Sequence, residues 1–312
     1  MDCAVIPLPR YKQLSLVQTV DFFYPLLDDP FIMGKIALAN VLSDVYAVGV
    51  TEIDKLQMII SAPEQLSNTE RDVVIQKIME GFKDSAKFAR CKLFVDSITV
   101  NPWCILGGVA TTVIKNEEII MPYGARDGDA LVLTKPLGTH LATSAYLWMQ
   151  ENNEKYQKLA IHLSNDQLTE TFEIAVKSMT FLNKNAGILM HKHNAHAATD
   201  VTGFGLLGHT NNLALFQNES LEFKITKIPI IKNVLKIANI THQDTKLKTG
   251  KAVETSGGLL ICLSLADASA FCAEFKEESK GEQDAWIVGH VEKSVQRKGS
   301  VIDNPEFLEI QF

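Results

Sequence analysis

Residues 195–209 read Ala195-His196-Ala197-Ala198-Thr199-Asp200-Val201-Thr202-Gly203-Phe204-Gly205-Leu206-Leu207-Gly208-His209. Small residues, then an acid, then glycines entering an apolar run describe a loop that opens a helix. Free N–H groups at such a start can cradle an anion. Asp200 could there hold a divalent cation that bridges phosphate oxygens. The same spacing equally fits a helix-capping Asp200, with the glycines serving close helix packing. Composition and spacing leave both readings open.

Outward from that loop the chain mixes helices and strands. A long helical segment is predicted from about 166 to 190 and another over 139–149. Beyond the loop, strands near 221–225, 258–263, 285–291 and 307–311 alternate with helices near 231–238 and 266–275. In the first half, Leu14–Phe23 is β-branched and aromatic with partial alternation, hence a strand. Asp29-Pro30 supplies an N-cap and a proline suited to the first helical position, and Gly49 can end that helix. Ser67 with Glu70 forms a capping box for a helix that stops near Arg90. Further strands are expected at 56–60, 92–95, 103–114 and 130–134. Pro136-Leu137-Gly138 breaks the pattern and marks the expected division into lobes 1–136 and 137–312. The fold class is α+β, in two lobes.

Two other glycine-containing stretches bear on the chemistry. Glu254-Thr255-Ser256-Gly257-Gly258-Leu259-Leu260 is a tight turn feeding a buried strand, with hydroxyls that could reach a phosphate, but it lacks the Walker A spacing. Leu106-Gly107-Gly108-Val109 lies inside a strand, where glycine marks a bulge or a close backbone approach.

The 312 residues are 46% hydrophobic and 21% charged, with a net charge of −7, so the chain can bury a core and is not disordered. No clustered basic stripe is present, which argues against nucleic acid as a partner. Five scattered cysteines form neither a disulfide framework nor a CxxC pair, and their odd number fits a reducing compartment. No apolar run is long enough to span a bilayer and no signal peptide is evident, so the expectation is cytoplasmic with no membrane partner. His191, His193 and His196 are close in sequence, but 191 and 193 would point to different faces near a helix end, which disfavours a metal site. The aspartates are better candidates. Asp21 belongs to a strand, Asp44 sits among Leu42, Val45 and Tyr46 where a charge needs a partner, and Asp2 precedes the first apolar run.

The segments Leu38-Ala39-Asn40-Val41-Leu42-Ser43-Asp44-Val45-Tyr46-Ala47, Asn101-Pro102-Trp103, Gly107 to Thr112, Leu133-Thr134-Lys135-Pro136-Leu137-Gly138-Thr139, 195–209 and 254–260 occur in the same order in selenophosphate synthetases (selenide, water dikinases). The chain resembles the animal members from Asp2 almost to its C-terminus, including their paralogues without selenocysteine. The wider superfamily is typified by aminoimidazole ribonucleotide synthetase. The resemblance implies an N-terminal lobe that binds ATP and lends strands to a dimer-interface β-barrel, and a second α+β lobe. It also implies a homodimer, or a heterodimer with an active paralogue, and the long strands at 14–23 and 103–114 suit a dimer.

The activity so implied is the conversion of ATP, selenide and water to selenophosphate, AMP and orthophosphate, for selenocysteine synthesis. By position, Asp2 matches the metal aspartate of the family's Gly-Met-Asp motif, Asp21 a nucleotide-binding aspartate, Asp44 one that binds both, and Asp200 the metal ligand of the second lobe. Mg²⁺ is the implied cofactor, because carboxylates approach a polyanionic nucleotide only through cations. The sequence departs from the family in two places. The Cys or Sec and the Lys that the family carries upstream of Gly-Met-Asp have no counterpart here, since Cys3 follows Asp2 and Lys12 matches no catalytic lysine; the catalytic residue is left unassigned. The Gly-Gly-Gln/His-Thr/Ser nucleotide loop falls on Val95, Asp96, Ser97 and Ile98. A β-branched Val95 would strain a loop that needs positive φ. Asp96 adds an acid beside phosphate. Two expectations therefore stand: an impaired selenophosphate synthetase, and an inactive paralogue with a regulatory or dimer-partner role.

Overall fold

The computed structural model describes residues 2–95 and 98–311. The chain divides into two compact units, one formed by residues 1–120 with 180–188, the other by 121–179 with 189–312. The elements in order are β1 (Ala4–Pro7), β2 (Leu14–Phe23), α1 (Pro30–Ala47), β3 (Lys55–Pro63), α2 (Asn68–Ala89), β4 (Leu93–Val95), β5 (Thr99–Asn101), β6 (Ile105–Lys115), β7 (Ala130–Leu133), α3 (Thr139–Gln150), α4 (Glu154–Ala160), α5 (Asn165–Thr180), α6 (Lys184–Lys192), β8 (Ala197–Asp200), α7 (Gly205–Leu215), β9 (Leu221–Ile231), α8 (Val234–Ile240), α9 (Asp244–Lys248), β10 (Leu259–Leu263), α10 (Leu265–Glu278), β11 (Trp286–Lys293) and β12 (Lys298–Ile310).

In the first unit, the sheet runs β1-β2-β6-β3-β4, with β5 also on β3. Asp29 caps α1 through Phe31 and Ile32 N–H, Pro30 starts the helix, and the chain leaves through Gly49 at φ 76°. The Ser67–Glu70 capping box opens α2, and Arg90 closes it in the left-handed region. Helix α1 packs on β2 and β6 and beside α2. Alternation along β2 turns Ser15, Val17 and Thr19 inward, whereas Val20 and Phe22 on the opposite face are 55% and 57% exposed. That face continues across the ladder through Ile6 and Val113, both opposite Leu16. Gly107 lies opposite Phe22, and a Cβ there would sit 2.1 Å from the Asp21 carbonyl, so glycine is what allows β6 to approach β2.

In the second unit, the sheet order is β12-β9-β11-β7-β10-β8, antiparallel except where β12 runs parallel to β9. Its core gathers Leu131, Leu133, Leu206, Phe223, Leu260 and Val288, among others. Because β7 pairs with β10 and β11, the chain divides after Ile120, upstream of the break at Pro136. Pro136-Leu137-Gly138 is instead a strand-to-helix turn inside this unit, fixed by Leu137 N–H on the Pro229 carbonyl. The helical segment expected over 166–190 is two helices. It breaks at 181–183, where the buried amide of Asn183 donates to Ser43 Oγ at 3.0 Å within the first unit. A tertiary partner thus overrides the local helical pattern. Among the described residues, no helix is long and apolar enough to cross a membrane.

Candidate functional site

Strand period and helix period together build the acidic site of the first unit. Thr19 and Asp21 are two apart on β2, and Asn40 and Asp44 are four apart on α1, so each pair shares a face. Thr19 Oγ1 donates to Asp44 Oδ2 and Asn40 Nδ2 donates to Asp21 Oδ2, each at 2.5 Å. Asp21 Oδ1 also accepts from the Phe22 N–H at 2.7 Å. Burial raises the Asp21 pKa above the ordinary carboxylate value, while the Phe22 N–H and the Asn40 amide pull it back. Half-buried carboxylates oriented by neutral donors are suited to share a cation brought by a ligand. Asp2 is half-buried just before β1, two residues ahead of Ala4, whose partner is Gln18, so the chain brings Asp2 toward the Thr19–Asp21 end of β2.

The loop assigned to nucleotide is distributed differently. Val95 ends β4 opposite Met58 and has no left-handed backbone, so the strain expected of it is absent. Asp96 and Ser97 lie outside the described residues. Ile98 lines a cavity of about 520 Å³ with Ala62, Ile75, Met79 and Val100, together with Arg71 and Lys83; neither Asp21 nor Asp44 lines it.

In the second unit, Asp200 is the buried last residue of β8. It does not cap α7, which begins five residues later with Phe204 at the cap. Three sequence motifs meet around it. The Lys135 ammonium donates to the Ser256 carbonyl at 2.8 Å. The Glu254 carboxylate accepts from Gly138 N–H at 2.7 Å, Thr139 N–H at 2.9 Å and Thr139 Oγ1 at 2.5 Å. The Thr202 carbonyl accepts from Glu254 N–H and Gly205 N–H, and Thr202 N–H donates to His209 Nε2 at 3.0 Å. Burial lowers the His209 pKa to about 4, so the ring is neutral and its Nε2 is an acceptor. Burial also raises Glu254 to about 7. The Ser256 hydroxyl, read as a possible phosphate contact, donates to the Met179 carbonyl instead.

The histidines near 191–196 do not gather: His193 Nε2 engages Glu274 at 2.8 Å and His196 Nδ1 engages Asp129 at 2.9 Å. Burial pushes the Cys91 thiol up to about 11 and Cys272 up to about 12, and raises Cys104 and Cys262, so none of these four is poised as a thiolate. Among the described residues, no three His, Cys, Asp or Glu side chains form a metal cage. The carboxylates are hard oxygen donors offered one or two at a time, which fits Mg²⁺, an ion that takes few protein ligands and completes its shell with phosphates and water. Thr19, Asn40, Lys135, Glu254 and His209 were not singled out from the sequence. For Thr19 and Asn40 the signal was there, as the two- and four-residue spacing to Asp21 and Asp44.

Two family models match: that described as AIR synthase related protein, N-terminal domain, over residues 1–112, and its C-terminal domain counterpart over 126–302. The chain is 55% identical to selenide, water dikinase 2 of Drosophila melanogaster, covering 99% of this chain and 85% of that protein. Among solved structures it resembles thiamine-monophosphate kinase from Stenotrophomonas maltophilia, with a TM-score of 0.70, 19% identity and coverage of 94% and 86%. It also resembles the hydrogenase maturation protein HypE in complex with ATP, with a TM-score of 0.68, 17% identity and coverage of 90% and 77%. The solved structures carry the fold, a mixed α+β arrangement of two AIR synthase-like domains, and the curated relative carries the family: this chain belongs to the selenide, water dikinases, a family of phosphotransferases.

Proposed function

We propose that this chain makes selenophosphate from selenide, ATP and water, releasing AMP and orthophosphate, for selenocysteine synthesis. The observation that carries the reading is the paired set Thr19–Asp44 and Asn40–Asp21, two carboxylates held on one strand–helix face by neutral donors. Asp21 and Asp44 would orient the nucleotide, and Asp2, Asp44 and Asp200 would hold Mg²⁺. When bound, Mg²⁺ neutralises phosphate charge and stabilises the charge that develops on phosphoryl transfer. Thr19 and Asn40 bind the carboxylates through one oxygen each and fix their orientation. The Asp200 carboxylate, at the end of a buried strand, is kept from bulk water.

Dimerisation through the open face of the first sheet belongs to the same reading. Ile6, Leu16, Val20, Phe22 and Val113 form an apolar surface on that face, and a second copy would cover it and close the barrel.

The test is selenide-dependent AMP formation by the purified chain, with Asp44→Asn as the control. AMP that appears only with selenide and is lost in Asp44→Asn supports the synthetase. Binding of Mg–nucleotide without any selenide-dependent AMP overturns it and supports the non-catalytic, dimer-partner role.

A further inference from the structure

In the first unit, β4 and β5 lie end to end along β3, one opposite residues 56–58 and the other opposite residues 61–63. Helix α2 is the crossover that joins β3 to these two strands. Arg71, Ile75, Met79 and Lys83 recur every four residues along α2 and so share one stripe. That stripe, with Ala62, Ile98 and Val100, lines the cavity of about 520 Å³. Ile98 is 43% and Val100 56% exposed, so the floor of the cleft is apolar and still in contact with water. Among the described residues no aromatic ring lines it, which leaves a flat base nothing to stack on. Aliphatic walls and an adaptable methionine suit a flexible alkyl chain.

The polar groups around the cleft favour an anion. Arg71 Nη2 donates to the Leu66 carbonyl at 2.9 Å and the Glu64 carbonyl at 3.4 Å, and Nη1 donates to Asn68 Oδ1 at 3.3 Å. All three acceptors are neutral, and Arg71 Nε is buried without a partner. The loop between β3 and α2 therefore fixes the guanidinium without cancelling its charge. An unsatisfied buried donor costs about 1–3 kcal/mol, which an anion at this edge of the guanidinium would offset. Lys83 supplies a second cation at the far end of the stripe, about 18 Å along the helix. Two acids also line the cleft, Asp72 and Glu80. Glu80 already accepts from Lys77 Nζ at 2.7 Å and from Gln76 Nε2 at 3.0 Å, and Asp72 stands exposed at the rim.

We propose that this cleft binds an aliphatic carboxylate, with the carboxylate at Arg71 and the alkyl chain laid along Ile75, Met79, Ile98 and Val100 toward Lys83. The volume falls within the range of small-molecule sites. Binding here does not depend on Asp21 or Asp44, neither of which lines the cleft, so a Mg–nucleotide should not compete.

The probes are decanoate, kept below its micelle concentration, and decanol, its neutral counterpart, each titrated calorimetrically into the full chain. Decanoate should bind at one site and about tenfold more tightly than decanol, the effect of one charged hydrogen bond. Arg71→Gln should remove that preference while leaving decanol affinity within about twofold. Val100→Asp places an acid on the exposed floor and should weaken both ligands about tenfold. No saturable binding of decanoate, equal affinities for the two ligands, or a preference that survives Arg71→Gln overturns the proposal. Affinity unchanged in Val100→Asp also overturns it, because the ligand then sits elsewhere, as on the open face of the first sheet. Competitive displacement by Mg²⁺ with a non-hydrolysable ATP analogue would make the cleft part of the nucleotide site and overturn it too. Should Arg71→Gln not fold, the comparison of decanoate with decanol in the parent and the Val100→Asp variant still decide.

Discussion

The hydroxyl of Thr19 on β2 donates to Asp44 on α1 at 2.5 Å, joining residues 25 apart in sequence. One step along each element, Asp21 accepts from Asn40 at the same distance. The acid that looked costly within an apolar helix therefore has its partner on the neighbouring strand. Thr19→Val keeps the shape and removes that donor. A hydrogen bond to a charged group contributes about 1.5–3 kcal/mol, so Mg–nucleotide affinity should fall on the order of tenfold. Calorimetry checks this, and undiminished affinity would mean that Thr19 does not hold Asp44 for the ligand.

His209 should make the second unit acid-sensitive. Its ring is neutral in the fold with a pKa of about 4, against 6.5 when unconstrained. The unfolded chain therefore takes up a proton first as pH falls. Stability from this group is complete above pH 6.5 and is lost toward pH 4, by on the order of 3 kcal/mol. Glu254, raised to about 7, acts in the opposite sense, because its protonated form is favoured in the fold between pH 4.5 and 7. Comparing denaturation of the parent and His209→Gln across that range cancels the Glu254 contribution. The variant should lose less stability on acidification; parallel profiles would contradict the assignment.

Glu254 is buried and accepts three hydrogen bonds at the start of α3. Glu254→Gln replaces one acceptor oxygen with an NH₂ that faces other donors. The cost should be about 1–3 kcal/mol, read from urea denaturation. A neutral result would show that the turn at Gly138-Thr139 does not depend on a carboxylate.

The exposed face of β2 gives a test of assembly. Val20→Lys combined with Phe22→Glu places opposite charges on an apolar surface that a second copy would bury. Light scattering should find the parent dimeric and the double variant monomeric, with the far-ultraviolet circular dichroism unchanged. Identical masses would remove the dimer from the proposed function.

Strand β2, the caps of α1 and α2 and the glycine-rich motifs were legible in the sequence, because alternation, an N-cap and a capping box are set within a few residues. The ordered motifs also marked the family, which the 55% identical relative bears out. The break at 181–183 was not legible, since Asn183 finds Ser43 140 positions away. Nor was the division after Ile120, because β7 owes its place to pairing with β10 and β11.

The sequence by itself determined which carboxylates are candidates and which local elements carry them. Only the tertiary structure decided their partners: Thr19 for Asp44 and Asn40 for Asp21. The reason is physical. Periodicity and capping are satisfied by near neighbours along the chain, whereas a buried charge must be satisfied by whatever the fold brings to it, and that residue can stand anywhere in the sequence.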